Sequence, residues 1–366
     1  MNLSKILKKL KVAIISILLI ILLLVISVFT LIFINSSGEP VPFLDENGKI
    51  LPSSISEKNY IEVDGGKLGF YIKGKNKNNP ILLFLHGGMP FYFITQDFPT
   101  GLDEIFTVVW WDQRGAGISY DAWHKDITAD DLINDTKAIT DYLRNRFSQD
   151  KIYLMAHSGG SFLAVKVITR YPDLYKAYIA VAQIAYQKLS EKKASEYIIE
   201  HYRNDKSKRN IVQSLIDHPI ILTEPIPEEY TKVRDSAMHD LGVGTMHNMK
   251  GVITGIFVPS LLFNEYSLKD KINLWKGKAT SGISVMWNEI ISQDLAKENT
   301  KFEMPVYFFH GIFDYTCSYQ LAKEYFDVIK APEKVFFTFN NSAHSPIFEE
   351  PLESINIIKT KILKKN

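Results

Sequence analysis

Among its 366 residues the chain has one cysteine, Cys317, so neither an intrachain disulfide nor a cysteine-based zinc site can form. A single free thiol reads as a small core residue rather than a nucleophile. Charge of either sign is not in excess. Lys and Arg number 42 against 41 Asp and Glu, a formal net charge of +1 that offers no global field to nucleic acid or acidic partners. There is no internal repeat and no low-complexity tract. His201, His218, His239 and His247 are scattered without metal-ligand spacing. Gly242-Val243-Gly244 lacks the preceding strand and following helix that a phosphate loop needs. Neither a metal nor a cofactor is expected.

One long apolar run is present. Val12 to Ile34 carries no charge and is rich in Ile, Leu and Val, and roughly 20 such residues cross a bilayer core. Lys5, Lys8, Lys9 and Lys11 precede it, and no basic residue follows until Lys49. That asymmetry places residues 1–11 in the cytoplasm, 12–34 across the cell membrane and the remainder on the outer face, a single-pass topology. The competing reading, a cleavable signal peptide, calls for an apolar core of about 7–15 residues and a small-x-small site. Only Ser36–Gly38 resembles such a site, and the run is longer, which favours an uncleaved anchor.

Residues 35–59, rich in Pro, Gly, Ser and charge, read as a linker lifting the rest off the membrane. Residues 60–63 and 67–73 flank Asp64-Gly65-Gly66 as a hairpin. Continuous apolar runs then recur at 81–85, 106–111, 152–156, 177–182, 306–309 and 335–339, with helical periods between several of them, such as 130–147 and 161–171. Strands buried on both faces and alternating with helices imply an α/β fold with a mostly parallel central sheet flanked by helices. The alternation fails between about Ile184 and Met304, where charge and helix-like spacing dominate. The organisation expected is a core in two parts, 60–184 and 304–366, with a helical cap inserted at 185–303. Lys359, Lys361, Lys364 and Lys365 read as the end of a final helix, where cations suit the negative pole.

The chemistry begins at Ala156-His157-Ser158-Gly159-Gly160, where a buried strand runs into a serine flanked by small residues and then into a helix. That pattern is a nucleophile elbow. A serine hydroxyl needs a base to take its proton, and in such folds an acid and then a histidine follow in chain order. Asp314 follows the strand at 305–309, and His344 follows the strand at 335–339. Both sit at carboxyl ends of strands, where open α/β sheets bind their ligands. Ser158, Asp314 and His344 are therefore the expected triad, with the Gly159 amide as one oxyanion donor. His86-Gly87-Gly88-Met89-Pro90 follows another buried strand and offers Gly88, with Gly87 behind it, as the second. His86 and the pair Asp112 and Arg114 read as braces for the loops around the site.

Together these segments resemble the prolyl iminopeptidase branch of the α/β hydrolases. The family's HGGPG loop corresponds to His86–Pro90 and its DQRGxG loop to Asp112–Gly117. The chain departs from it at Met89-Pro90 and at Gly159, where the family has Pro-Gly and commonly tryptophan. The resemblance implies a serine hydrolase acting on small peptides, with acidic cap residues receiving the substrate's free amine, since a buried ammonium requires a partner. Glu289 is the first candidate for that role, with Glu265 behind it, and Trp287 and Trp275 for lining the pocket. The competing reading of Glu289 is a solvated face of a cap helix. Two further functions stay open: a carboxylesterase or lipase of small or membrane-derived esters, and a non-catalytic membrane-anchored binding protein.

Overall fold

The computed structural model describes residues 3–120, 127–278 and 284–363. It opens with α1 (Leu3–Ile34). The Leu7–Ile34 portion is long and apolar enough to cross a membrane, as a signal sequence near an N-terminus also is, and none of its apolar window is buried.

Eight strands follow: β1 (Ile55–Val63), β2 (Gly66–Gly74), β3 (Ile81–Leu85), β4 (Thr107–Trp111), β5 (Ile152–His157), β6 (Tyr175–Val181), β7 (Val306–Gly311) and β8 (Lys334–Phe339). They form one sheet in the order β1-β2-β4-β3-β5-β6-β7-β8. The hairpin β1–β2 and the β2–β4 pair are antiparallel, and every other pair is parallel. The mostly parallel sheet expected from the apolar runs is thus the sheet that forms. Its inner strands bury both faces. Leu83, Leu85, Val109 and Leu154 point into one core, and Leu82, Phe84, Val108 and Met155 into the other. A strand covered on both sides has no solvent face to mark with polar residues, which is why these segments read as unbroken apolar runs.

Helices cover the two faces. α2 (Ala129–Phe147) starts on a capping box between Thr128 and Asp131 and buries Leu132, Ile133, Ile139 and Leu143. α3 (Gly159–Arg170) follows β5 directly. Between β6 and β7 the described residues are helical or irregular: α4 (Gln187–Tyr202), α5 (Arg209–Asp217), α6 (Glu228–Asp240), α7 (Val258–Leu262), α8 (Leu268–Gly277), α9 (Trp287–Ser292) and α10 (Leu295–Glu298). A π-helical turn at Ile253–Phe257 runs straight into α7. This insertion is the cap. α11 (Tyr319–Val328), α12 (Pro346–Glu349) and α13 (Pro351–Ile357) belong to the core, and Lys359 and Lys361 lie in a π-helical end at Ile358–Ile362. Lys364 and Lys365 fall outside the described residues.

Two expectations require correction. The first strand begins at Ile55 rather than at residue 60. The preceding segment is also no spacer, because its backbone is bonded to the domain. Lys73 Nζ donates to Val41 O at 2.7 Å, Ser56 Oγ donates to the same carbonyl at 2.7 Å, and Gly38 N donates to Asn264 O at 3.2 Å. Pro, Gly and Ser keep the segment from making regular structure, yet carbonyls within it, such as that of Val41, remain acceptors for buried lysines elsewhere in the chain. Lys73 also pairs with Glu265 Oε1 at 2.9 Å, both side chains being nearly buried, and Tyr92 donates to Glu265 Oε2 at 2.8 Å. Glu265 is thereby spent on a structural ion pair beneath residues 41–43.

Truncating one partner of a buried pair strands the other charge. Glu265→Leu is expected to cost about 3–5 kcal/mol in urea unfolding, and adding Lys73→Met to recover much of it. Equal losses for the single and double variants would contradict this account.

Candidate active site

The elbow is built by close approach. Ser158 adopts φ 58 and ψ −128, a conformation that L-residues avoid unless their surroundings impose it. Its N–H donates to Val181 O at 3.0 Å, and its carbonyl accepts from Ser161 N at 2.8 Å and Ser161 Oγ at 2.6 Å. A Cβ at Gly160 would lie 2.5 Å from the carbonyl oxygens of Leu85 and His86, so only glycine lets α3 start this close to β3. A Cβ at Gly87 would come within 2.8 Å of Ser158 Cβ. Ser158 directly precedes the first turn of the twelve-residue α3, whose free N–H groups favour negative charge.

At the ends of the next strands, Asp314 and His344 meet. His344 Nδ1 donates to Asp314 Oδ2 at 2.9 Å. Cys317 N donates to Oδ1 at 2.9 Å, and His310 Nε2 lies 3.1 Å from Oδ2. Burial alone would raise this carboxyl, but the adjacent His344 and His310 outweigh it and hold Asp314 well below the usual carboxylate range. An ionised Asp314 keeps the His344 proton on Nδ1, which leaves Nε2 of the neutral ring as a bare base. Among the described residues no hydrogen bond joins Ser158 Oγ to His344. Such contacts commonly tighten only when substrate is bound. The two residues are nevertheless neighbours through His157, which precedes the serine. Its Nε2 donates to His344 O at 2.8 Å, and its ring centroid lies 4.8 Å from that of His344. Burial, reinforced by His344, pushes His157 down to about 3.

The loop carrying His344 is clamped from α12. Glu349 Oε1 accepts from Ala343 N and Ser345 N, each at 3.0 Å, and its Oε2 accepts from His247 N at 2.6 Å. Glu350 accepts from Asn341 N at 3.0 Å and Ser342 Oγ at 2.6 Å. Neither glutamate stands out in the sequence. Carboxylates a few residues beyond a loop histidine are a weak signal, and only the turn of the chain reveals that they face back. His310 is equally inconspicuous.

A 480 Å³ cavity opens on the serine. Ser158, Gly88, Gly159 and Trp287 line it, together with Cys317, Gln187 and Glu191 of α4, and Thr231, Arg234 and Asp235 of α6. Gly87, Glu289 and Trp275 are not part of its wall. Glu289 lies on α9, which turns Trp287 rather than the carboxylate to the cavity. Burial pushes the Cys317 thiol up, so it faces the cavity protonated. Glu191 is almost wholly buried. Arg234 Nε and Nη2 reach its two oxygens at 2.5 and 2.9 Å, and Tyr230 and Gln187 occupy the remaining acceptor positions at 2.6 and 2.8 Å. Arg234 Nη1 also holds Asp235 Oδ1 at 2.7 Å, while the Asp235 side chain stays 61% exposed. The spacing of Thr231, Arg234 and Asp235 on one helix face is the available sequence signal for this cluster.

The remaining loops brace. His86 Nδ1 donates to Gly87 O at 2.9 Å and its Nε2 accepts from Gln113 N at 2.9 Å, which fixes one neutral tautomer. Arg114 makes a two-pronged pair with Asp135 at 2.6 and 2.5 Å. Asp112 accepts from Ile118 N at 2.9 Å and from Tyr266 at 3.1 Å, and burial raises it to about 7. Neither Asp112 nor Arg114 reaches the serine cavity.

Comparison with known proteins bears on the family and the fold. Residues 76–203 match the family described as serine aminopeptidase, S33. A probable aminopeptidase, YbaC, of Bacillus subtilis (strain 168) is 30% identical over 302 residues, covering 81% of this chain and 93% of that one. The proline iminopeptidase of Thermoplasma volcanium is 26% identical over 158 residues, 41% of this chain and 52% of its own length. Among solved structures, a proline iminopeptidase-related protein of Thermus thermophilus superposes with a TM-score of 0.58 at 19% identity, over 82% of this chain and 96% of that one, a likeness of fold.

Burial lowers His86 from 6.5 to about 4. Between those values the unfolded chain takes up a proton that the folded chain refuses, so its contribution to stability falls as pH falls. The stability advantage of wild type over His86→Gln in urea should shrink by about 1.4 kcal/mol per pH unit from pH 6.5 to 4. An advantage that stays constant across this window would contradict a neutral, buried His86.

Proposed function

The chain belongs to the prolyl iminopeptidase-like branch of the α/β hydrolases, and we propose that it is a serine aminopeptidase releasing N-terminal residues from small peptides. In this reading His344 Nε2 takes the Ser158 proton as the hydroxyl attacks the scissile carbonyl, and Asp314 stabilises the imidazolium that results. The amides of Gly88 and Gly159 receive the oxyanion. His344 then returns the proton to the departing amine, and water repeats the sequence on the acyl-enzyme.

The observation that carries the peptidase reading is the charged wall of the cavity. Glu191 and Asp235 bring two carboxylates to the serine from the cap, with Arg234 between them. All of Glu191's oxygens are engaged, so its part is to hold Arg234. Asp235 Oδ2 has no hydrogen-bond partner among the described residues. It is the group we assign to the substrate's free ammonium, in place of Glu289. An apolar acyl chain would meet Ile184 and Trp287 but gain nothing from the charged wall, which counts against the esterase reading. Retention of an ionised acid beside a correctly protonated histidine counts against a non-catalytic scaffold.

The same reading places α1 across the cell membrane with its basic end in the cytoplasm and the catalytic domain outside. Lys271 Nζ donates to Asn35 O at 2.5 Å, Ser36 Oγ at 2.8 Å and Leu261 O at 2.7 Å. Cleavage at Ser36–Gly38 would leave this buried ammonium short of two of its three acceptors.

Ser158→Ala should abolish labelling by a fluorophosphonate probe and lower turnover by several orders of magnitude. Against a panel of prolyl and other aminoacyl amides and of short and long acyl esters, turnover of esters alone would overturn the peptidase assignment. Asp235→Asn should raise KM for substrates with a free amine roughly tenfold and leave N-blocked esters unaffected.

A further inference from the structure

The end of α1 is fastened to the cap. Lys271 of α8 is 1% exposed and has no carboxylate partner among the described residues. Its three donors are spent on the chain leaving α1, at Asn35 and Ser36, and on Leu261 at the end of α7. Cations suit the carbonyl ends of helices, and this one serves two at once. Ser37 Oγ and Gly38 N add bonds to Asn264 O. The cap therefore cannot drift from the point where the chain leaves the apolar helix.

Between the two lies a groove of 880 Å³. Phe29, Ile32 and Phe33 of α1 form one wall, and Phe257, Leu268 and Ile272 are among the cap residues opposite. The cap surface continuing from it is apolar and open: Ile253 is 71% exposed, Ile272 49%, and Phe257, Val258 and Leu268 about 40% each. A patch of this kind on a water-soluble surface marks an interaction site. Here its depth identifies the occupant. Phe29 lies five residues before the end of α1, which is about 7.5 Å along the helix axis. Whatever medium surrounds α1 at that level also fills the groove. An amphipathic element resting in a bilayer interface sinks about 5–10 Å, the same depth. Trp275 and the exposed Lys276 line the groove, and Lys278 Nζ lies 5.5 Å from the Trp275 ring, residue types that gather at headgroups.

We propose that the cap face formed by residues 253–262 and α8 is seated in the lipid leaflet from which α1 emerges, with acyl chains filling the groove. This rests on α1 being a membrane span. It goes beyond anchoring by α1, because the cap itself becomes a second, interfacial contact.

The test uses the full chain reconstituted in phosphatidylcholine–phosphatidylglycerol vesicles. Single cysteines at Ile253→Cys, Ile272→Cys, Leu22→Cys and Asp217→Cys carry an environment-sensitive fluorophore. Wild type is the blank, because Cys317 is buried and protonated. Each variant is first checked for an unchanged unfolding midpoint. Labels at 253 and 272 should be quenched several-fold more by doxyl-bearing acyl chains than by aqueous iodide, as at 22, with the reverse at 217. Iodide-accessible labels at 253 and 272 beside a lipid-quenched label at 22 would overturn the proposal and leave the span intact. Iodide quenching at 22 as well would remove both. Lipid quenching at 253 that emerges only when protein is diluted into excess lipid would mean that a second copy, not lipid, covers the face, and would also overturn it.

Discussion

A carboxylate carried into the end of a packed sheet must be surrounded by donors, and around Asp314 that requirement organises the neighbourhood. One oxygen takes the Cys317 amide and the other the His344 imidazole, with His310 Nε2, bonded to Cys317 O at 2.7 Å, lying 3.1 Å from it. A buried anion without such partners would cost several kcal/mol or pick up a proton. With them it stays ionised and dictates which nitrogen of His344 carries hydrogen. The tautomer is thus set by the need to satisfy a buried charge, before any substrate arrives. The same logic extends outward. Glu349 satisfies the amides of the His344 loop, and His157 satisfies the His344 carbonyl from beneath.

The cap obeys the rule with a different outcome. Glu191 is as buried as Asp314, and its donors are Arg234, Tyr230 and Gln187. Its work ends in fixing the guanidinium, and the guanidinium in turn holds Asp235 at the cavity. A chain of satisfied charges runs from the base of the cap to one accessible carboxylate. This gives the proposed amine site a rigid support, and pre-organised support lowers the cost of binding a small charged group.

What could be read in advance follows from how local each signal is. The parallel strands were legible because burial on both faces forces unbroken apolar stretches such as Ile81–Leu85 and Thr107–Trp111. The elbow was legible because Gly160 must pass within van der Waals distance of Leu85 and His86, so its small size is written into the sequence itself. Asp314 and His344 were found by their positions after strands. The cap was not legible at the level of residues. Glu289 and Asp235 both sit in charged helical stretches, and which one faces the serine depends on how helices with no sheet beneath them pack. Residues 35–54 misled for a related reason: irregular composition says that a segment forms no helix or strand, but not whether its carbonyls are bound elsewhere.

β6 and β7 are neighbours in the sheet, paired from Tyr178 with Val306 to Val181 with Phe309. The whole insertion therefore departs and returns across a single strand spacing. The strands that present Ser158, Asp314 and His344 are joined beneath it, yet the cap is tied to their loops, Gln187 Nε2 donating to Thr316 O at 2.8 Å and His247 N to Glu349 Oε2 at 2.6 Å. A rewritten cap must reproduce those bonds, so the loop-like excursion and the weave below constrain each other at the carboxyl end of the sheet.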